Sequence, residues 1–445
     1  MSGDPSAPAE RFAIDSRGVK PGDVFVAIKG ERSDGNDFAA VALKNGASGA
    51  IVTRDVADLP SGVPVLRVPD AVAALQDVAR RHRASSSSRV TGVTGSNGKT
   101  TTKEMISRVL SVGGNTVFAS TGNHNSRIGL PLMVMELEPR HTHAVFEMGA
   151  SEKGDIAALA SVAKPRTGVL TNVGRAHLLT FGTQEGVADA KWELVDALPS
   201  DGLAVLNADD PRILSRRSRA KSRVTTYGLS AEADVRGLDV RPLAREGKDG
   251  TAFNLTVRGE KSVSVWIPVP GYFNVSNALA AAVVGLEEGV ALDDIVRGLE
   301  SFQPPAQRMQ ARRGKGGALF VIDAYSANPD SMKGSLQSFA AAYGGRRRVA
   351  VLGGMRELGT ATADEHRALG SLAGRLDLSK VFFLGEECSW VREGWPSGSS
   401  VLLECFADKT SLREALAQEP DGGVYLFKAS RGVKMEEVYE PLIEG

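Results

Sequence analysis

Residues 94–102 read TGSNGKTTT, between the short apolar run RVTGV and a stretch with helical spacing over 99–111. A glycine turn between a strand and a helix points several backbone N–H groups at one spot, and the helix N-terminus adds a positive end. Such a turn binds phosphate. Gly95 and Gly98 permit backbone angles and close approach that a Cβ would block. Lys99 can reach the β- and γ-phosphates of a nucleotide, and the Thr100 hydroxyl can take Mg²⁺. Asn97 and Thr101 are counted with them as nucleotide-binding residues. The spacing is not the full G-x-x-x-x-G-K-[ST], because Val93 stands where the first glycine belongs; the core G-x-x-G-K-T-T is intact. The loop predicts ATP binding, against the alternative of an ordinary glycine turn with a solvated lysine. It does not name a reaction, since kinases, motors, GTPases and ligases all use it.

The rest of the chain fits around this unit. Its 445 residues allow two to four domains. Apolar runs at HAVFEM (143–148), TGVLTNV (167–173) and LAVLNAD (203–209) alternate with helical stretches, which argues for a parallel, doubly wound sheet. Residues 222–268 contain AFNLTVRG and SVSVWIPV and are expected as antiparallel strands appended to that sheet. QPPAQRM, near 303–309, marks a boundary, followed by further strand–helix alternation from ALFVIDAY (318–325) to VYLF (424–427). The fold class expected is α/β in three domains: a small mixed α/β N-terminal domain, a central P-loop parallel-sheet domain with appended antiparallel strands, and a C-terminal Rossmann-like domain. Their expected limits are 12–84, 89–303 and 304–445, after a frayed tail at 1–11 and with a serine linker at 85–88.

Charge and cysteine content narrow the function. Net charge is zero, so the chain carries no electrostatic footprint for nucleic acid or an anionic membrane. No run of about 18 apolar residues predicts a membrane span. The leading MSGDPSAPAER lacks the apolar core of a signal peptide, so the cytoplasm is the expected location. With two cysteines, Cys388 and Cys405, a disulfide framework is not expected.

Several further stretches occur in one order: VTGVTGSNGKTTT, EMGAS, TNVGRAHLLTFG, ADAKWEL, NVSNALAAA, QRMQ, DAYSANPDSM and FKASR. Together they resemble the Mur ligase family, ATP-dependent amide-bond-forming enzymes of peptidoglycan precursor synthesis. The resemblance runs from the DSR at 15–17 to the SR at 430–431. TGNHNSRIGLP (121–131), EMGASEKGDI (147–156), AYSANPDSM (324–332) and GGMRELG (353–359) are most similar to the branch that joins D-alanyl-D-alanine to UDP-N-acetylmuramoyl-tripeptide. The resemblance implies one domain for the UDP-sugar, one for ATP and one for the incoming amine. It also implies an acyl-phosphate intermediate, with ATP and Mg²⁺ as cofactors; separately, the protein is expected to be a monomer.

Individual residues carry two readings. Glu147 closes the run HAVFE, where a parallel sheet presents its carboxyl ends to a ligand crevice. A carboxylate there can hold Mg²⁺, and a solvated strand-end glutamate is the other reading. His177 follows TGVLTNV in the same manner and is otherwise an ordinary histidine. Lys191, in the helical ADAKWELV, reads from its residues alone as solvated. The resemblance makes Glu147 and His177 Mg²⁺-site residues and implies that Lys191 is carbamylated by CO₂, joining Thr100 in the metal set. Asn274 and Asn277, three apart at a helix start, can meet an adenine edge or cap the helix. By resemblance, Arg308 neutralises the γ-phosphate, Asp323 holds the ribose, and Asn328 belongs with the nucleotide set. Ser16 and Arg17 resemble a UDP-binding stretch, though Asp-Ser-Arg-Gly is also good turn chemistry. Thr121, Asn123, Asn125, Ser126, Tyr325 and Ser326 are the remaining substrate-side candidates. Glu357 and His366 are possible acceptor-side residues, and a solvated helix face is an equal reading of His366.

Departures from the pattern cluster where the amine is expected. Ser126 replaces the second of two paired asparagines, Ile322 an aspartate, Ser326 an asparagine, Gly354 an aspartate and Ala429 a glycine. The alternatives are a sister ligase adding a different amino acid or dipeptide, a plain P-loop ATPase, and a nucleotide-binding regulator.

Overall fold

A computed structural model describes residues 9–175, 178–258 and 262–444. Three sheets organise the chain. The first runs β1 (Arg11–Ala13), β2 (Asp23–Val26), β3 (Gly49–Val52) and β4 (Val65–Arg67) in sequence order, with every pair parallel. The helix Ala71–Ser85 follows, its first N–H groups capped by the Asp70 carboxylate. It leads into the second sheet through only three residues, and the Ser88 hydroxyl donates to the His141 carbonyl. The serine run is therefore anchored structure and not a free tether.

The second sheet comprises β5 (Arg89–Thr94), β6 (Val117–Ala119), β7 (His143–Glu147), β8 (Thr167–Leu170), β9 (Leu203–Asn207), β10 (Arg223–Gly228), β11 (Val235–Pro242), β12 (Thr251–Val257) and β13 (Val263–Ile267). Their order is β13-β12-β11-β10-β9-β8-β5-β7-β6. Successive strands after β5 go first to one side of it and then to the other, so the crevice at the carboxyl ends of β5 and β8 is a topological switch point. Only β11–β12 and β12–β13 are antiparallel; β10 runs parallel to β9 and to β11. The expected antiparallel block thus begins one strand late. Residues 208–222, with the helix Pro211–Leu214, form a crossover where a hairpin would be needed to reverse direction.

The third sheet holds β14 (Gln310–Arg313), β15 (Leu319–Ile322), β16 (Arg348–Gly353), β17 (Lys380–Leu384), β18 (Leu402–Phe406) and β19 (Val424–Lys428), ordered β14-β15-β19-β16-β17-β18. All neighbours are parallel except β14–β15. The carboxyl ends of β15, β19 and β16 therefore lie side by side. A buried cluster spans the second and third sheets, joining Val93 and Val109 to Leu336, Phe339 and Leu352. Cys388 and Cys405 are bonded to each other, against expectation, with Cα atoms 6.0 Å apart. The chain returns from β17 through the helix Cys388–Glu393 to the adjacent β18, which brings two sequence-distant thiols together. Among the described residues, no helix is long and apolar enough to cross a membrane.

Candidate functional site

The phosphate loop sits at the switch point. Gly95 and Gly98 have φ of +153° and +82°. A Cβ at Gly95 would lie 1.8 Å from Thr171 Oγ1, and one at Gly98 2.4 Å from Asn277 Oδ1. Residues trailing β8 hold the loop open: Asn97 N donates to Asn172 Oδ1 at 2.9 Å, and Thr171 Oγ1 donates to the Asn97 carbonyl at 2.6 Å. The helix Lys99–Val112 starts directly behind it. Lys99 Nζ folds back on the loop, donating to the Gly95 carbonyl at 2.9 Å. Desolvation lowers its pKa, opposed by the Glu147 carboxylate and reinforced by Arg308.

Glu147, 5% exposed at the end of β7, accepts from Thr100 Oγ1 at 2.7 Å and from Asn125 Nδ2 at 2.7 Å. A hydroxyl and a buried carboxylate sharing one spot beside a phosphate loop are hard oxygen donors, the type Mg²⁺ takes. Lys191, in the helix Gln184–Asp196, is 3% exposed. It is therefore not the solvated side chain its helical setting suggests. It lines a cavity of about 450 Å³ shared with Gly95, Lys99, Asn125 and Ser126. Burial, with the Lys99 charge adding, pushes its ammonium down from an ordinary 10.5 to about 7. The adjacent Trp192 packs into the hydrophobic core, so the helix buries its lysine and its indole together. His177 lies outside the described residues. Among the described residues, no group of three or more His, Cys, Asp or Glu could hold a metal. The expected set draws instead on a hydroxyl, Glu147 and a modified lysine.

The third sheet closes over this loop. Arg308 Nη2 approaches Thr100 Oγ1 at 3.5 Å, its guanidinium 4.2 Å from the Tyr325 ring centroid. Asn328 caps the helix Pro329–Ala342 and donates to Asn97 Oδ1 at 2.8 Å. Arg175 bridges to Asp330 at 3.2 Å and Glu365 at 2.7 Å. Between the two sheets lies a cavity of about 440 Å³, lined by Gly98, Thr101, Tyr272, Asn274, Asn277, Arg308, Asp323 and Lys428 among others. That volume and its mixed lining suit a nucleotide. Asp323 is buried and accepts from Lys428 Nζ at 2.7 Å and Ser335 Oγ at 2.5 Å.

Some expectations need correction. Asn274 does not cap its helix: Gly271 does, and Asn274 Nδ2 donates to the Pro270 carbonyl at 2.8 Å. Asn277 bonds Asn274 and Thr102, so both amides brace two helices at the cavity wall. His366 is fully buried, its Nε2 accepting from Met355 N at 3.1 Å and its Nδ1 2.6 Å from the Thr362 carbonyl oxygen, and burial lowers its pKa. It shapes the 353–357 loop and is no solvated face. Ser16 and Arg17 form the turn after β1, where Asp15 accepts from Arg17 Nε at 2.9 Å; neither lines the cavities at the loop. Thr121 and Asn123 lie on the turn before Asn125, outside those linings, whereas Ser126 lines the lysine cavity and Ser326 the nucleotide cavity. Lys428, Asn172 and Arg175 are further site residues; FKASR contains the first and TNVGRAH the other two, but neither stretch marks their partners.

Comparison with known proteins adds three family matches in chain order. Residues 11–83 match the Mur ligase family catalytic domain, 93–285 the Mur ligase middle domain, and 307–431 the Mur ligase glutamate ligase domain. The UDP-N-acetylmuramoyl-tripeptide–D-alanyl-D-alanine ligase of Bacillus subtilis is 35% identical, over 97% of this chain and 93% of its own. Among solved structures, MurF from Acinetobacter baumannii superposes with a TM-score of 0.88 at 32% identity, covering 98% of this chain and 94% of that one. MurF from Thermotoga maritima, in complex with ADP, gives 0.86 at 32% identity, covering 98% and 97%.

Proposed function

We infer the reaction from one premise: the chain belongs to the Mur ligase family. It is an ATP-dependent amide ligase of peptidoglycan precursor synthesis, joining D-alanyl-D-alanine to UDP-N-acetylmuramoyl-tripeptide with release of ADP and phosphate. One observation carries the reading furthest. The third sheet's Arg308 and Asn328 meet Thr100 and Asn97 of the phosphate loop, so the domain assigned to the amine covers the site where the γ-phosphate would lie.

The tripeptide carboxylate attacks the γ-phosphate, giving an acyl phosphate and ADP. The amine then attacks the acyl carbon, and phosphate leaves with one carboxylate oxygen. The loop N–H groups, Lys99 and Arg308 spread the charge on the transferring phosphoryl group. Tyr272, Asn274, Asn277 and Asp323 enclose the nucleoside. Thr100, Glu147 and a carbamylated Lys191 are the residues that would hold Mg²⁺, with His177 added by family resemblance. Bound Mg²⁺ would supply positive charge to the phosphoryl oxygens. The first sheet, with Ser16 and Arg17, is assigned the UDP end, and Asn125, Ser126, Tyr325 and Ser326 the two peptide substrates. The reaction is placed in the cytoplasm, where ATP is supplied.

Carbamylation needs a neutral amine. A lysine near 10.5 is almost wholly protonated at neutral pH, whereas one near 7 is about half free. Activity is expected to fall as pH drops below about 7, and added bicarbonate should lift the acid limb. Rates from about pH 6 to about pH 8, with and without bicarbonate, check this; a limb indifferent to bicarbonate speaks against the carbamate. The stability sign is opposite to that of a salt-bridged lysine. The unfolded chain binds more protons between about 7 and 10.5, so this group's contribution to stability rises with pH through that window.

Phosphate release from Mg-ATP tests the function itself. It should require both the UDP-linked tripeptide and D-alanyl-D-alanine, with the pentapeptide detected by mass. Product with a different amine only would replace the acceptor. Release indifferent to both substrates would leave a plain ATPase.

A further inference from the structure

Gly354, directly after β16, has no side chain, yet the space of one is occupied. A Cβ there would lie 2.5 Å from Glu387 Oε1 and 2.7 Å from Glu387 Cδ. A Cβ at Gly385 would likewise meet Glu387 Oε2 at 2.5 Å. The Glu387 carboxylate is thus threaded between two glycine backbones, its side chain 14% exposed, and the next residue, Cys388, is tied to Cys405. Position 354 is also where the family pattern places an aspartate. The carboxylate missing from the strand end is supplied from the turn after β17.

Among the described residues, Glu387 is ion-paired with Arg356. Arg356 Nη1 lies 4.0 Å from Glu387 Oε1, and the Arg356 backbone N–H is fixed by Ser430 Oγ at 3.1 Å. Arg356 lines the small cavity that also contains Lys99, Thr100, Glu147, Arg308 and Ser326. The other basic side chains of that lining are committed. Lys99 and Arg308 are assigned above to the transferring phosphoryl group, and Arg175 pairs with Asp330 and Glu365. Arg356 is 64% exposed and its ion pair is loose, so its planar fork of donors is open to a ligand carboxylate. The incoming dipeptide has one.

We propose that Arg356 receives the terminal carboxylate of the amine substrate and that Glu387 is its positioning residue, standing in for a side chain at 354. This rests on the ligase reading above. A charged hydrogen-bonding pair of this kind supports roughly 10- to 100-fold in affinity.

The test is steady-state ligation with D-alanyl-D-alanine and with its C-terminal amide, together with melting curves for every variant. The parent should disfavour the amide by roughly 10- to 100-fold in KM. Arg356→Ala should raise the KM for the acid by a similar factor, leave the amide's KM unchanged, and alter kcat and the KM for ATP by under about threefold. Glu387→Ala should act in the same direction. Gly354→Asp alone should be impaired because two carboxylates compete for one space. Gly354→Asp combined with Glu387→Ala should recover acceptor KM relative to either single variant, since the carboxylate has only changed its attachment. Continued discrimination between acid and amide by folded Arg356→Ala, or a double variant no better than the worse single, overturns the inference while the ligase reading stands. A parent protein that forms no amide product with either dipeptide overturns both.

Discussion

Lys191→Ala is expected to lower kcat by about 100- to 1,000-fold, the usual cost of deleting one charge-organising group at a transferring centre. The melting temperature should hardly move. The side chain borders a cavity of about 450 Å³, so truncation enlarges existing space. Removing an amine whose burial disfavours its charge relieves a desolvation cost as well. Small carboxylates such as formate or acetate should restore part of the rate by providing the anion in trans. Lysine variants that lose activity without rescue would point to packing, and full activity without additive would mean that no carbamate forms at Lys191.

Asp323→Ala is expected to cost about 3–5 kcal/mol in the stability of the third sheet's domain. Lys428 Nζ, buried, would keep only the carbonyls of Asp323 and Ser326 as acceptors, at 3.4 and 3.0 Å. At roughly 2–4 °C per kcal/mol for a domain of this size, the transition should fall by about 6–20 °C. The same change should raise the KM for ATP, because Asp323 lines the nucleotide cavity. Asp323→Ala combined with Lys428→Met separates the two effects. It removes the orphaned charge and should regain most of the stability without regaining ATP affinity. If Asp323→Ala melts like the parent, the ion pair contributes nothing and the buried-charge argument fails.

What the sequence made legible was local. The glycine spacing of residues 95–98, with Lys99 and Thr100 behind it, specifies the loop because every requirement lies within one turn of chain. Glu147 was legible because a strand end in a parallel sheet has only one place to face. Direction was not: β10 lies in the stretch expected to be antiparallel, and the crossover at 208–222 makes it parallel to β9. Partners across long separations were also hidden. Lys428 and Asp323 lie 105 residues apart, and Arg175 and Asp330 lie 155 apart. Their roles arise from strand order in two different sheets. Of the two readings of Asn274, capping fails because the helix already begins at Tyr272, with Gly271 at the cap position. The absence of a carboxylate at Gly354 was plain in the sequence, while its replacement by Glu387 depends on how the turn after β17 folds back.

The loop is assigned to hold ATP so that a carboxylate can be phosphorylated and then joined to an amine. Oxygen transfer tests it most directly. The donor tripeptide would be labelled with ¹⁸O in its terminal carboxylate and turned over with ATP and D-alanyl-D-alanine, and the released phosphate examined by mass. One labelled oxygen per phosphate is expected, in step with amide formed. Unlabelled phosphate would mean that water, and not the carboxylate, receives the phosphoryl group, and would contradict that assignment.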